Sequence, residues 1–287
     1  NKPIELIEAS LNDKSKLLNI VKDVDYIYNV AGIIAAKSYE DFLSANRDGT
    51  RNLIEAVYEV NPNIKRFVHI SSQAVAGPAS SPNNPVKESD ECHPITSYGK
   101  SKLEGEKVVL SYKDKLPITI VRPPSVYGPR DPAIRDIFRI GKIGLGPLMG
   151  FNDKYVSLIH CNDLVRGIIL AGESDKSIGE TYFITSKEFY NWPQIMEVLK
   201  IALGKKFFIK LRIPQPLVIA AGSISDFFGN FSKKPPVFDK EKAIDFIQDY
   251  WICSPEKAQK DFGFLSQIDL QDGFNETAHW YLENKWI

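Results

Sequence analysis

Short apolar runs alternate along the first half of the chain with longer stretches in which apolar residues recur every three or four positions. The short runs predict four strands, at residues 4–8, 26–30, 67–71 and 118–121. The periodic stretches predict three helices, at about 13–21, 39–60 and 97–112. Strands that alternate with helices are typical of a parallel sheet with helices on both faces. The pattern therefore predicts an α/β fold with a doubly wound parallel sheet.

The second half of the chain has a looser pattern, because prolines and glycines interrupt residues 123–150. A helix near 163–171 and a strand at 182–185 predict that residues 156–187 return to the sheet. From Trp192 onward the pattern is mostly helical. We therefore expect a sheet domain at 1–130 and a smaller, mostly helical lobe at 131–287. Ligands of open parallel sheets bind at the carboxyl ends of the strands, so this lobe is expected to cover the substrate there.

Composition narrows the class of protein. Hydrophobic residues make up 43% of the 287 residues, which is enough for a sizeable core. The 36 basic and 36 acidic residues balance, which argues against a general nucleic-acid binder. The three cysteines are far apart and predict neither a disulfide framework nor a metal site, so a reducing, cytoplasmic location is expected.

The most apolar segment, at 213–228, is shorter than a membrane span and is interrupted by polar residues. It predicts an amphipathic helix that is buried in the protein rather than bound to a membrane. No integral membrane segment is expected elsewhere. The expected partner is a small-molecule substrate, and a homodimer remains an open alternative.

Candidate chemistry begins with Tyr98 and Lys102, whose spacing places both side chains on one face of a helix. An opposite charge within a few ångströms can shift a pKa by roughly 1–3 units. The Lys102 ammonium is therefore expected to lower the pKa of Tyr98 and make it a usable general acid and base. The same spacing also occurs on exposed helices as two solvated side chains.

Position strengthens the catalytic interpretation. Ser71 and Ser72 end one predicted strand, and Pro123 and Pro124 follow another. The carboxyl ends of parallel strands share one edge of the sheet, so these residues are expected near the Tyr98 helix. Ser72 falls where its hydroxyl could hold a substrate oxygen.

In this order, the motifs resemble the extended short-chain dehydrogenase/reductase family of the NAD-dependent epimerase/dehydratase type. The resemblance covers about residues 4–185 and rests on six segments: 26–32, 46–56, 71–77, 98–102, 122–129 and 160–164. It implies a Rossmann-like dinucleotide-binding domain at 1–130 that binds NAD or NADP. A non-catalytic NAD(P)-binding sensor on the same fold is the alternative, but retention of Ser72, Tyr98 and Lys102 favours an enzyme.

The resemblance also implies residue roles. Ser72 would orient the substrate oxygen, Tyr98 would exchange its proton, and Lys102 would bind the ribose hydroxyls. Further residues expected at the cofactor are Val30, Ala31, Gly32, Asn46, Ser71, Pro123 and Pro124. For Asn46, the ordinary interpretation as a polar helix residue is equally open.

The chain departs from the family at the phosphate site, since no Gly-x-x-Gly-x-x-Gly turn occurs in it. That turn places the pyrophosphate at a helix N-terminus. We expect that an N-terminal βαβ unit is missing from the sequence that starts at Asn1. The alternative is a true truncation, which would destroy cofactor binding.

Substrate positions leave two classes open. Gln73 stands where 4,6-dehydratases begin an acidic pair, which argues against dehydration. Ser125 replaces an Asn of many sugar-nucleotide epimerases, and Arg122-Pro123-Pro124 is similar to 3β-hydroxysteroid dehydrogenase-like enzymes. Arg130 could meet a substrate anion. The expected activity is hydride transfer at a secondary alcohol or ketone of either a nucleotide sugar or a steroid-like or lipid alcohol.

Overall fold

The computed structural model describes residues 4–229, 231, 235–236 and 238–287. Its strands are β1 (Tyr26–Asn29), β2 (Arg66–Ile70), β3 (Ile118–Arg122), β4 (Ser125–Tyr127), β5 (Leu145–Met149), β6 (Tyr155–His160), β7 (Glu180–Phe183), β8 (Phe189–Asn191), β9 (Ile209–Ile213) and β10 (Tyr250–Trp251). Its α-helices are α1 (Lys14–Ile20), α2 (Tyr39–Leu43), α3 (Gly49–Val60), α4 (Ser97–Leu110), α5 (Arg135–Lys142), α6 (Cys161–Glu173), α7 (Trp192–Ala202), α8 (Gln215–Gly229), α9 (Lys240–Ile247), α10 (Glu256–Phe262) and α11 (Leu270–Glu283).

Strands β1, β2, β3 and β7 form a parallel sheet in that order. Alternate residues of a strand face opposite sides, so a sheet buried on both faces reads as a continuous apolar run. Phe67 of β2 packs with α1, α3 and α4 on one face. Val68 packs with α6 and α10 on the other. The predicted doubly wound parallel sheet is confirmed.

The strand expected at residues 4–8 does not form. Residues 4–10 have no regular structure, and Ile4 and Leu6 are 88% and 92% exposed. A strand is stable only when its N–H and C=O groups pair with a neighbour. Within the described part of the chain, β1 pairs with β2 alone, so the apolar alternation at 4–8 has no ladder to join.

The long helix expected at 39–60 is present but is not uniform. Helices α2 and α3 are joined by a turn of π-helix at Ser44–Asp48. Such turns are rare and occur often at functional sites. This turn contains Asn46, which is fully buried.

The part of the chain in which we expected the smaller lobe forms, together with β4, two further sheets and a second core. Strands β10, β6 and β4 form one parallel sheet, with β8 antiparallel to β6, and β5 pairs with β9 in a two-stranded ribbon. Its core contains Phe138 of α5, Met196 of α7, and Phe274 and Tyr281 of α11.

The helix expected at 213–228 forms as α8, but the expectation that it is buried is wrong. Of its residues, Val218 and Gly222 are buried. A Cβ at Gly222 would lie 2.7 Å from the Asp239 carbonyl oxygen and 2.9 Å from the Cβ of Ala243, so α8 approaches the start of α9 closely along one narrow line. Among the described residues, no helix has the length and apolar character needed to cross a bilayer.

Candidate active site

Helix α4 begins at the carboxyl edge of the main sheet, against the turn that follows β2. The Thr96 hydroxyl accepts a hydrogen bond from the Gly99 N–H at 3.2 Å and caps the helix. A Cβ at Gly99 would lie 2.5 Å from the Ala74 carbonyl oxygen, so only glycine permits this approach. The first turn of α4 thereby presents Tyr98 to the end of β2.

Ser72 meets Tyr98 at this edge. The Ser72 hydroxyl is close enough to the Tyr98 hydroxyl to lower its pKa, and both residues are half-buried. The Ser72 oxygen also accepts a hydrogen bond from the Ala74 N–H at 3.2 Å, which holds its side chain in place. The pair predicted from sequence is therefore brought together by the fold.

The pKa of Tyr98 is above its usual value, and not below it as we expected from the spacing to Lys102. Burial is the main cause, because it disfavours the charged phenolate. The neighbouring Ser72 hydroxyl lowers the pKa of Tyr98, while the negative charge of Asp245 raises it. Ser72 and Asp245 thus act in opposite directions on the same proton.

Lys102 lies one turn further along α4 and is 4% exposed. Its ammonium donates a hydrogen bond to the Ile70 carbonyl oxygen at 2.7 Å. Burial lowers the pKa of Lys102 to about 8, against the opposing charge of Glu106. A Cβ at Gly32 would lie 3.6 Å from the Lys102 Nζ. The ammonium therefore sits between the end of β2 and the loop after β1.

Asn46 links that loop to α4. Its Oδ1 accepts a hydrogen bond from the Ile33 N–H at 2.9 Å, and its Nδ2 donates to the Ile33 carbonyl at 3.1 Å and to the Ser101 hydroxyl at 2.9 Å. The side chain thus positions the segment that contains Gly32 and the helix that contains Lys102. Direct contact of Asn46 with the cofactor stays a prediction.

The remaining expected residues divide between the site and the surface. In the loop after β1, Val30 is 66% exposed, and Ala31 and Gly32 are also exposed. At the ends of the next two strands, four expected residues are buried: Ser71, Gln73, Pro123 and Pro124. The Gln73 N–H donates to the Pro123 carbonyl at 2.8 Å, which joins the ends of β2 and β3. Ser125 in β4 and Arg130, three residues beyond the end of β4, are both exposed.

This edge has the chemistry to receive the nicotinamide and ribose of NAD. The backbone of residues 30–32 is accessible beside the Lys102 ammonium. The buried Ser71 Oγ and Gln73 Nε2 have no hydrogen-bond partner in the protein. Buried polar groups are normally paired, so these two atoms are suited to a bound ligand. The residues that surround the site fit the nicotinamide half of the cofactor.

Two carboxylates from the smaller lobe complete the site, and sequence reasoning missed both. Glu241 of α9 accepts hydrogen bonds from the Ser97 N–H at 2.7 Å and from the Ser97 hydroxyl at 2.6 Å. Asp245 lies one turn further along α9, with a side chain that is 19% exposed. Its Oδ1 is buried and has no hydrogen-bond partner, and burial raises the pKa of Asp245 to about 6. The only sequence signal was two acidic residues four positions apart.

A Ser, Tyr and Lys at the carboxyl edge of a doubly wound sheet define the extended short-chain dehydrogenase/reductase class. The sequence profile described as "NAD dependent epimerase/dehydratase family" matches residues 1–185, and the chain belongs to this family. The predicted class of enzyme and its use of NAD are thereby confirmed.

Similar proteins span several activities. A ceramide reductase of Caulobacter vibrioides is 26% identical over 285 residues, which cover 99% of this chain and 82% of that protein. A decarboxylating sterol-4-alpha-carboxylate 3-dehydrogenase of Candida albicans is 27% identical over 96% of this chain and 81% of its own length. The crystal structure of a dTDP-glucose 4,6-dehydratase from Streptomyces venezuelae matches 100% of this chain and 82% of its own, with 21% identity and a TM-score of 0.79. At that identity, the structural match supports the fold alone.

Proposed function

We propose that the protein interconverts a secondary alcohol and a ketone, with Ser72, Tyr98 and Lys102 as the proton relay. The observation that carries this proposal is the proximity of the Ser72 and Tyr98 hydroxyls beside the buried ammonium of Lys102. Bound NAD would accept or supply the hydride. Within the chain, Tyr98 takes the proton from the alcohol oxygen during oxidation and returns it during reduction.

Ser72 and Lys102 have separate roles in this step. The Ser72 hydroxyl is close enough to Tyr98 to hold the substrate oxygen against the phenol. The Lys102 ammonium, next to the accessible loop at Gly32, would bind the ribose hydroxyls of the cofactor. A sensor that only binds NAD has no use for a hydroxyl pair at the end of β2, so this arrangement favours the enzyme.

For the substrate, we propose a hydrophobic alcohol or ketone of the sterol or long-chain lipid type. The Tyr98 ring lies 6.3 Å from the ring of the buried Phe42, so the reacting side chain has an aromatic neighbour. Two similar proteins carry lipid substrates in their names, ceramide reductase and the sterol dehydrogenase. A nucleotide sugar is the second candidate. The exposed guanidinium of Arg130 favours it, because it could meet a diphosphate.

Ligand-dependent melting separates the two classes. The protein with NAD is tested against ceramides and sterols on one side and UDP- and dTDP-sugars on the other. A ligand at 100 times its dissociation constant stabilises a protein by about 2.7 kcal/mol. Stabilisation by nucleotide sugars alone would exclude the lipid class.

The relay is tested with Tyr98→Phe, which removes one hydroxyl. Turnover of the stabilising substrate should fall by about 10²–10⁴-fold while NAD affinity is kept. Tyr58→Phe is the matched control, because Tyr58 is 45% exposed and lies on α3. Equal turnover of both variants and the unaltered protein would remove Tyr98 from the mechanism.

A further inference from the structure

The exposed side of α8 is apolar along its whole length. Leu217, Ile224 and Phe228 are 60%, 59% and 66% exposed, and Ala220 and Ala221 between them are also exposed. Residues three, four and seven apart lie on one side of a helix. A helix at the surface of a soluble domain normally turns such a stripe toward the core, whereas α8 turns it toward solvent.

The β5–β9 ribbon, which leads into α8, has a second exposed apolar face. In register, Leu145, Pro147 and Met149 pair with Ile209, Leu211 and Ile213. Paired residues share a face of the ribbon, and so do alternate residues of each strand. These six apolar side chains therefore form one face, on which Ile209 and Leu211 are 59% and 50% exposed.

The opposite face of the ribbon already packs on the protein. Leu148 is 4% exposed, and a Cβ at Gly146 would meet the side chains of Phe208 and Met196 at 3.2 and 3.6 Å. The apolar face thus remains uncovered after the lobe has formed its core. Exposed apolar surface of this extent marks an interaction site.

The charge of the segment indicates what covers it. Residues 201–229, which include β9 and α8, contain four basic side chains and one acidic one, the half-buried Asp226. Lys205 and Lys206 lie in the turn before β9, next to the apolar face. Lys210 and Arg212 alternate with the apolar residues of β9 and lie on the other face of the ribbon. Basic side chains beside exposed apolar ones are typical of segments that lie in the interface of an anionic bilayer. Their long stems allow the charges to reach the headgroups while apolar neighbours insert.

A second copy of the chain fits this surface less well. In a symmetric dimer the same patch meets itself, so Lys205 and Lys206 would lie near a second pair of lysines. Lysine is also depleted at the centres of protein interfaces. We propose that β9 and α8 form a peripheral docking surface for an anionic lipid membrane. This inference goes beyond the proposed relay and does not depend on it.

Vesicle flotation of the whole protein tests the surface. Binding is expected to vesicles of phosphatidylglycerol and phosphatidylcholine in equal parts, and to be much weaker with phosphatidylcholine alone. Salt should weaken it, because the Debye length falls from about 10 Å at 0.1 M to about 3 Å at 1 M. Failure of the protein to float with either vesicle would overturn the proposal.

Two sets of variants locate the surface. The triple variant Leu217→Gln, Ile224→Gln and Phe228→Gln should reduce partition by more than about tenfold. Replacement of Lys205, Lys206 and Lys210 by Gln should reduce partition on anionic vesicles by on the order of a hundredfold. All six side chains lie outside the relay, so turnover of a water-soluble substrate should not change.

Matched controls lie elsewhere on the surface. Val165 and Ile169 of α6 are 55% and 42% exposed, and their replacement by Gln should not affect partition. The same holds for replacement of the exposed Lys22, Lys187 and Lys260 by Gln. An equal loss in these controls would contradict the proposed location. A concentration-dependent dimer that the α8 variant abolishes, without vesicle binding, would assign the surface to self-association instead.

Discussion

The Glu241 carboxylate accepts two hydrogen bonds from Ser97, one from its N–H and one from its hydroxyl. Ser97 immediately precedes Tyr98, so this contact joins the smaller lobe to the turn that presents the reacting phenol. Bonds to a charged acceptor are stronger than those between neutral groups. This contact therefore helps to hold α9 over the site, together with hydrogen bonds from Trp251 to the Asp245 carbonyl and from Lys154 to the Ile247 carbonyl.

Replacement of Glu241 by Ala should weaken this junction. The half-buried donors of Ser97 lose their acceptor, at a cost of about 1–3 kcal/mol. Urea unfolding measures the loss, and faster hydrogen exchange at residues 97–99 and 240–247 would locate it. Glu197→Ala in the same lobe is the control, because its ion pair with Lys200 is on the surface and contributes about 0–1 kcal/mol. Equal effects of the two replacements would contradict a specific junction.

Asp245→Asn should change both stability and the behaviour of Tyr98. Burial raises the pKa of Asp245 from 3.8 to about 6. Between about pH 4 and pH 6, the Asp245 carboxyl is therefore still protonated in the folded protein but ionised in the unfolded chain. Stability of the unaltered protein should therefore fall as pH rises from about 4 to 6, by about 2 kcal/mol. The Asn variant should not show this fall in melting temperature.

The same variant should shift the pH–rate profile. The negative charge of Asp245 raises the pKa of Tyr98, so its removal should move the Tyr98 limb of alcohol oxidation toward lower pH. Asp245→Glu keeps the charge and should keep the profile close to that of the unaltered protein. If Asn and Glu variants behaved alike, the charge of Asp245 would not act on Tyr98.

Lys102→Met should stabilise the fold near neutral pH while it weakens NAD binding. Burial lowers the pKa of Lys102 from 10.5 to about 8, so the charged form is disfavoured in the folded state. Between about pH 8 and 10.5, Lys102 is protonated in the unfolded chain but mostly neutral in the folded protein. The free energy of unfolding of the unaltered protein should therefore rise across this range, by up to about 3 kcal/mol. The Met variant should lack this rise, in melting curves recorded across that range. An unchanged rise would show that Lys102 titrates as a surface lysine.

Two glutamates of α4 offer a direct comparison of buried and exposed ion pairs. Glu106 accepts hydrogen bonds from Arg122 at 2.9 and 2.6 Å, with both side chains buried. Glu104 pairs with Lys107 at 2.7 Å on the surface. Glu106→Gln should cost about 3–5 kcal/mol because it leaves a buried guanidinium uncompensated. Glu104→Gln should cost about 0–1 kcal/mol, and equal losses in chemical denaturation would contradict this account.

The sequence by itself determined the local elements and the order of the catalytic motifs. Short apolar runs predicted β1, β2 and β3, and Tyr98 and Lys102 were placed on one helix face by spacing alone. These inferences succeed because strand and helix periods are local properties of the chain. The convergence of Ser72 and Tyr98 also followed, since parallel strands bring their carboxyl ends to a common edge.

Only the tertiary structure decided which distant residues join that edge. Glu241 is 144 positions from Ser97, and nothing local indicates that α9 turns this face toward α4. The raised pKa of Tyr98 likewise comes from burial, which depends on everything packed around the ring. The segment at 4–8 has a strand pattern, but among the described residues no strand pairs with it. Helix α8 has an apolar stripe that the core does not cover. A periodic pattern specifies a face, but what that face meets is set by the packing of the whole chain.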